Sequence, residues 1–315
     1  MKKLVVKVVF LLISFLIVVG GYWKFATYVG IKYYGLSTEQ QIRKSFKNAV
    51  SKEYDCYLLG NSRIYRGVNP EYLTNVNAYN FGHDNDSYNQ MYYKLEYLIK
   101  RGLRINTLII GTDYFQFSEM SDTRNYIYNK LLSKDYQNDY EQTVTDSIEN
   151  QIVTQWVSKR LLWPDCIKCI KGVEAPEYLP YQRENGQYIA QGQASPEDSV
   201  ERKHEILDIQ YEYYERIVDL CENNDIMLYV LMPPARDEEL SSYSLEDMEY
   251  IDYMIIAGLR DRYRNNYYNC SRLPGLTDYT NYIDITHLNE EAANRFSEYI
   301  NQVILGDTSE VVSDF

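Results

Sequence analysis

The run Cys56-Tyr57-Leu58-Leu59 constrains this chain more than any other stretch. A strand with one wet face alternates polar and apolar residues. A strand without alternation is covered on both faces, as in a parallel sheet with helices above and below. The predicted strand is Tyr54–Leu59, and it runs directly into Gly60-Asn61-Ser62-Arg63. Gly60 permits a tight turn and sets Ser62 at the carboxyl end of the strand, the edge where open α/β sheets bind ligands. A serine there also serves commonly as the cap of a following helix. The stretch alone leaves both roles open.

The chain continues in the same pattern. Asn77–Phe81 reads as a second strand ended by Gly82. Ser87–Lys100 reads as a helix, with Tyr88, Met91, Tyr92, Leu95 and Leu98 at helical spacing. Ile105–Ile110 is a third strand, ended by Gly111-Thr112-Asp113. After a weaker region come a helix at 204–223, a strand at Ile226–Met232, a helix at Leu245–Arg264 and a short strand at Asn281–Ile283. The last helix, Asn289–Ile304, places Ala292, Phe296, Ile300 and Val303 on one face. Strands alternating with helices predict an α/β fold with a parallel sheet and helices on both faces. In the weaker region, 114–203, Asn125–Leu132 and Ser147–Leu162 read as helices and Ala175–Ser199 as loop. A loop-rich stretch of that length is read as an insertion over the active-site edge.

Near the amino terminus, Leu4–Trp23 is almost free of charge and long enough to cross a bilayer as a helix. No A-x-A-like cleavage site follows it, and Tyr22-Trp23 reads as an interfacial anchor, so an uncleaved signal anchor is favoured over a cleaved signal peptide. The expected layout is an anchor at 1–24, a membrane-proximal helical linker at 25–53, a catalytic domain at 54–306 and a tail at 307–315. The expected orientation is amino terminus inside and domain outside the cell membrane.

With 32 Lys and Arg against 45 Asp and Glu, the net charge is −13, which argues against a nucleic-acid partner. The 34 tyrosines suit a surface that binds sugars, or more simply a core that uses Tyr where others use Phe. Five cysteines are too few for a disulfide framework. Cys56 and Cys221 read as core residues. Cys166 and Cys169 form a lone C-x-x-C without a second ligand pair for zinc, and are expected as a local disulfide or two thiols. Neither metal nor cofactor is expected.

Three histidines make assignment tractable. His83 reads as a solvated loop residue and His204 as surface. His287 follows Asp284 by three, at the entry to the last helix. An Asp that accepts from a His ring nitrogen fixes the tautomer and steadies the imidazolium formed in acyl transfer. Asp-x-x-His alone is a weak signal, and its place after a strand and before the terminal helix gives it weight.

Gly60-Asn61-Ser62 early and Asp284-Ile285-Thr286-His287-Leu288 late together resemble the SGNH (GDSL-like) hydrolase superfamily. The resemblance is closest to its membrane-anchored branch, which includes DltD-like and alginate O-acetylation-like proteins. It covers roughly 54–113 and 204–304, including Tyr79-Asn80-Phe81-Gly82 and Gly111-Thr112-Asp113. It implies a flavodoxin-like three-layer α/β/α sandwich with Ser62 as nucleophile, His287 as base and Asp284 as its orienting partner. The N–H groups of Ser62 and Gly82 would form the oxyanion hole, with Asn61, Arg63 and Asp113 lining the site. The family's third block usually offers an Asn, and here Asp113 stands near that place. It would have to be protonated, turned away, or replaced by a donor such as Asn85.

The implied function is transfer or removal of an acyl group, acetyl above all, on a cell-envelope polysaccharide, with a membrane-bound O-acyltransferase as partner. Carbohydrate esterase and catalytically silent scaffold subunit are the alternatives.

Overall fold

The structure, a computed structural model, describes residues 2–121, 124–136, 161–197 and 205–306. Its chain forms two compact units. One comprises Met1–Gln41 with Val144–Tyr181, the other Ile42–Thr143 with Gln182–Phe315.

The larger unit is built on five parallel strands: β1 (Cys56–Leu59), β2 (Ala78–Asn80), β3 (Thr107–Gly111), β4 (Met227–Met232) and β5 (Tyr267–Asn269). Their spatial order is β2-β1-β3-β4-β5. The order reverses between β1 and β3, because the chain leaves β1 for β2 on one side and returns to β3 on the other. The crevice outside the strand ends at such a switch is where this architecture binds ligands.

Successive strand residues serve opposite faces. Tyr57, Leu59, Leu108, Ile110, Leu228 and Val230 join a core with α2 (Thr38–Ala49), α4 (Tyr88–Lys100), α7 (Asp208–Asn223) and α9 (Leu245–Gly258). Cys56, Leu58, Ile109 and Leu231 pack on the other face with α3 (Ser62–Gly67) and α10 (Glu290–Tyr299). The sheet is therefore the middle of three layers, which is why β1 carries no alternation.

Tyrosine fills this interior. Tyr57, Tyr88, Tyr214 and Tyr263 are fully enclosed, and their hydroxyls donate to Ala49 O at 2.7 Å, Thr112 Oγ1 at 2.8 Å, Ile255 O at 2.9 Å and Ile226 O at 2.7 Å. Each ring supplies apolar surface, and each hydroxyl finds the partner that burial demands. Burial raises these phenols above their ordinary range, with Tyr263 pushed up to about 12. Cys56 and Cys221 are core residues as expected.

The smaller unit contains α1 (Lys2–Tyr34), which is long and apolar enough to cross a membrane, together with α6 (Trp163–Ile170). Ala26, Val29 and Tyr33 of α1 bury Cys166. Tyr33 Oη donates to Val173 O at 2.6 Å and Tyr34 Oη to Asp165 Oδ2 at 2.8 Å. Cys166 and Cys169 are both free thiols.

Several expectations need correction. α1 runs unbroken past residue 24, so the anchor and the start of the linker are one helix. Among the described residues the insertion at 114–203 is not one body: 161–181 belongs with α1, while the described flanks belong to the sheet unit. The expected helix over Leu245–Arg264 stops at Gly258, where a side chain would strike the ring of Tyr214. Beyond it lies β5, a half-buried edge strand too short to show a period. Asn281–Ile283 is not a strand but a turn with a single antiparallel bridge, Tyr282 to Leu288. Past Tyr299 the last helix widens into a π-turn, which buries Ile304 rather than fully burying Val303. The expected helix over Ser147–Leu162, the surface reading of His204 and the tail at 307–315 lie wholly or mostly outside the described residues.

Candidate active site

Ser62 is the first residue of α3, at the carboxyl end of β1 and beside the switch point. Two missing side chains bring α3 that close. A Cβ on Gly60 or Gly111 would overlap the side chain of Ile64, so the glycines ending β1 and β3 make the seat for the helix that carries Ser62. Asn80, at the end of β2, holds the other end of α3 by donating to Ile64 O at 2.8 Å and Val68 O at 2.9 Å.

Asp284 and His287 share a loop pinched by the Tyr282–Leu288 bridge and by Ile283 N donating to His287 O at 2.9 Å. Asp284 Oδ1 accepts from the N–H groups of Thr286 and His287, both at 2.9 Å. Its Oδ2 lies 2.7 Å from His287 Nδ1, and His287 Nε2 lies 2.7 Å from Ser62 Oγ. With a proton on Nδ1 directed to Asp284, Nε2 is the acceptor for the serine hydroxyl. Partial burial would raise the Asp284 carboxyl, but the bond and charge of His287 and the two backbone donors outweigh it and hold it well below the usual carboxylate range. A serine hydroxyl, an imidazole and an ionised carboxylate thus stand in line across 225 residues of chain, an arrangement that could activate the serine as a nucleophile.

Behind the serine, Asn61 caps α3: its Oδ1 accepts from Arg63 N at 2.9 Å. Its Nδ2 donates to Asp113 Oδ2 and Gln116 Oε1, both at 2.7 Å. Asp113 Oδ1 accepts from Phe115 N at 3.0 Å. Asp113 is therefore turned toward the support of the turn that carries Ser62. Arg63, expected to line the site, points inward instead. It pairs with buried Glu239, lies 3.8 Å from Asp113, and its guanidinium sits over the Phe115 ring at 5.4 Å. Burial opposes its charge, but Glu239 and Asp113 outweigh that and raise its pKa above the ordinary value.

The expected oxyanion donors are not all free. As the first helical residue, Ser62 has an N–H with no carbonyl one turn back to take it. The Gly82 N–H donates to Asn80 Oδ1 at 3.1 Å, so the expected second donor is already engaged. Asn85 is exposed at a turn with φ 58°, and among the described residues its amide makes no hydrogen bond. His83 also departs from expectation: it is buried, stacked on Tyr65 at 4.9 Å, with Nδ1 3.3 Å from Lys94 Nζ.

Three supporting residues carried no signal in the sequence. Gln116 sits in a 3₁₀ turn without a pattern, Glu239 lies in the acidic run Asp237-Glu238-Glu239 that reads as solvent surface, and Thr286 acts through its backbone. The flanks of the insertion reach the site. The turn at 183–187 covers the β2 edge through Asn80 N donating to Asn185 O at 2.9 Å. Further on, Ala194 N donates to Tyr282 O at 3.2 Å, next to the loop of Asp284 and His287. Among the described residues no group of three His, Cys, Asp or Glu is placed to hold a metal. No protein-family model matches the chain, and no curated protein matches it at a significant level.

Proposed function

We propose that this chain is a membrane-anchored serine acyl-enzyme of the SGNH type, working outside the cytoplasm on acyl groups of a cell-envelope polysaccharide. The observation that carries the reading is the contact of Ser62 Oγ with His287 Nε2, with Asp284 behind the ring. The strand order 2-1-3-4-5 is that of flavodoxin-like folds and fits the proposed family.

In this mechanism Ser62 Oγ attacks the acyl carbonyl carbon and its proton passes to His287 Nε2. The oxyanion forms against Ser62 N–H, and the leaving alcohol takes the proton from His287 as the C–O bond breaks. An acceptor hydroxyl then gives its proton to His287 and attacks the acyl-enzyme, and Ser62 departs with that proton. A sugar hydroxyl as acceptor makes a transferase, and water makes an esterase. A second oxyanion donor comes from Gly82, released by Asn80 when substrate binds, or from Asn85. Apo sites often tighten only in the complex.

The engaged Gly82 N–H is the observation that favours a second reading, a silent scaffold subunit of an O-acyltransferase complex. A fluorophosphonate probe separates the two. An enzyme labels at Ser62, with label abolished in Ser62→Ala and strongly reduced in His287→Ala. A chain that unfolds cooperatively yet takes no label is the scaffold. Following acetyl release against acetyl transfer to glycan then divides esterase from transferase.

A further inference from the structure

Helix α6 carries more apolar surface than its packing uses. Its inner side, Cys166 with Cys169, seats on Ala26, Val29 and Tyr33 of α1. Trp163, Ile167 and Ile170 recur at i, i+4 and i+7 and form one stripe beside that contact. Trp163 is 57% exposed and Ile170 75%, with Leu161 and Val173 also exposed at the two ends. Clustered apolar exposure of this kind marks a surface that meets something other than water.

What lies next to the stripe indicates its partner. The apolar run of α1 is exposed from Leu4 to Val18 except around Ser14, and none of the described residues covers it. Leu4–Trp23 spans about 30 Å at helical rise, the thickness of a hydrocarbon core. At the end of that run the Trp163 ring meets Tyr22, with 5.9 Å between centroids. Tyr28 and Tyr34 are exposed just beyond. Amphipathic rings collect where a chain leaves the hydrocarbon, and exposed Lys24 and Lys171 add cations suited to lipid phosphate, while Lys168 pairs with Asp165 at 2.8 Å.

We propose that α6 is an interfacial helix whose Trp163–Ile167–Ile170 stripe rests in the headgroup layer of the bilayer that α1 crosses. A lipid surface is the partner of this face, and α1 and α6 together fix the depth of the anchor. The inference rests on the reading of α1 as a membrane span.

The test uses the full chain in phosphatidylcholine vesicles containing lipid brominated near the top of its acyl chains, which quenches tryptophan by contact. Trp23→Phe/Trp156→Phe leaves Trp163 as the sole reporter, and Trp156→Phe/Trp163→Phe leaves Trp23 to report on the span itself. The expected result is that each loses about half its emission relative to unbrominated vesicles, as for rings at the interface. Adding Ile167→Ser and Ile170→Ser reduces the quenching of Trp163 but not that of Trp23. Quenching of Trp23 without Trp163 overturns the inference and leaves the span standing, whether Trp163 is open to acrylamide or shielded from it by protein. Quenching of neither removes the span and the inference together.

Discussion

A 2.7 Å hydrogen bond from Asn61 Nδ2 to Asp113 Oδ2 joins the end of β3 to the residue that precedes Ser62. The turn that carries Ser62 is thus tied to the neighbouring strand by a side chain on each. Replacing Asp113 by Ala leaves the Asn61 amide held by Gln116 alone and Arg63 with one partner fewer. Losing a buried charged acceptor costs roughly 1–3 kcal/mol, so fluorophosphonate labelling of Ser62 should slow about tenfold or more, with Asp113→Asn milder. A folded Asp113→Ala protein that labels at the wild-type rate would show that the contact does not position the serine.

Asp284 should matter more. Asp284→Asn removes the carboxylate that selects the His287 tautomer, and labelling should fall by roughly three to four orders of magnitude. Because the Asp284 carboxyl is held below its ordinary range, it stays ionised as the pH falls from 7 to 5. Any loss of rate in that window belongs to another group, and labelling rates measured across it in a series of buffers check this.

Gly111→Ala tests the seat of α3. The new methyl group collides with Ile64, and overpacking of this kind costs about 1–3 kcal/mol. The variant should unfold at lower urea and label more slowly, since Ile64 and Ser62 share one short helix. Ile64→Ala removes the colliding carbon, so the double variant should be less impaired than the sum of the singles. Strict additivity in urea midpoints would refute the clash.

His83 gives a pH signature of stability. Burial first, then the charges of Lys94 and Arg124, hold its pKa well below the ordinary 6.5, so it stays neutral in the folded chain. Below pH 6.5 the unfolded chain binds a proton there that the native chain does not, and stability falls by at most about 1.4 kcal/mol per pH unit. His83→Phe should flatten this dependence between pH 6.5 and 5. Parallel urea titrations of both proteins read the difference, and equal slopes would mean that His83 titrates freely in the native state.

The layered fold was legible because burial on both faces leaves an unmistakable mark: Cys56–Leu59 and Ile105–Ile110 carry no alternation, and Gly60 and Gly111 punctuate their ends. Asp284 and His287 were legible because Asp-x-x-His is local, and one loop brings both groups to Ser62. The surroundings were not. Gln116, Glu239 and Gly82 depend on which partner lies across the fold, and a one-dimensional pattern does not encode that. Glu239 shows why: an acidic run looks wet until the Arg that buries it, 176 residues away, is known. β5 escaped for a different reason, because three residues at a sheet edge are too few to display a period.

The distance in sequence between Ser62 and His287 also sets an order in time. The serine turn is made early in the chain, but its imidazole partner arrives only with the loop that precedes the last helix. A nascent chain therefore lacks the Ser62–His287 contact until roughly its last thirty residues have been delivered and docked. The Ser62–His287 contact is thus completed only late in synthesis, by topology alone.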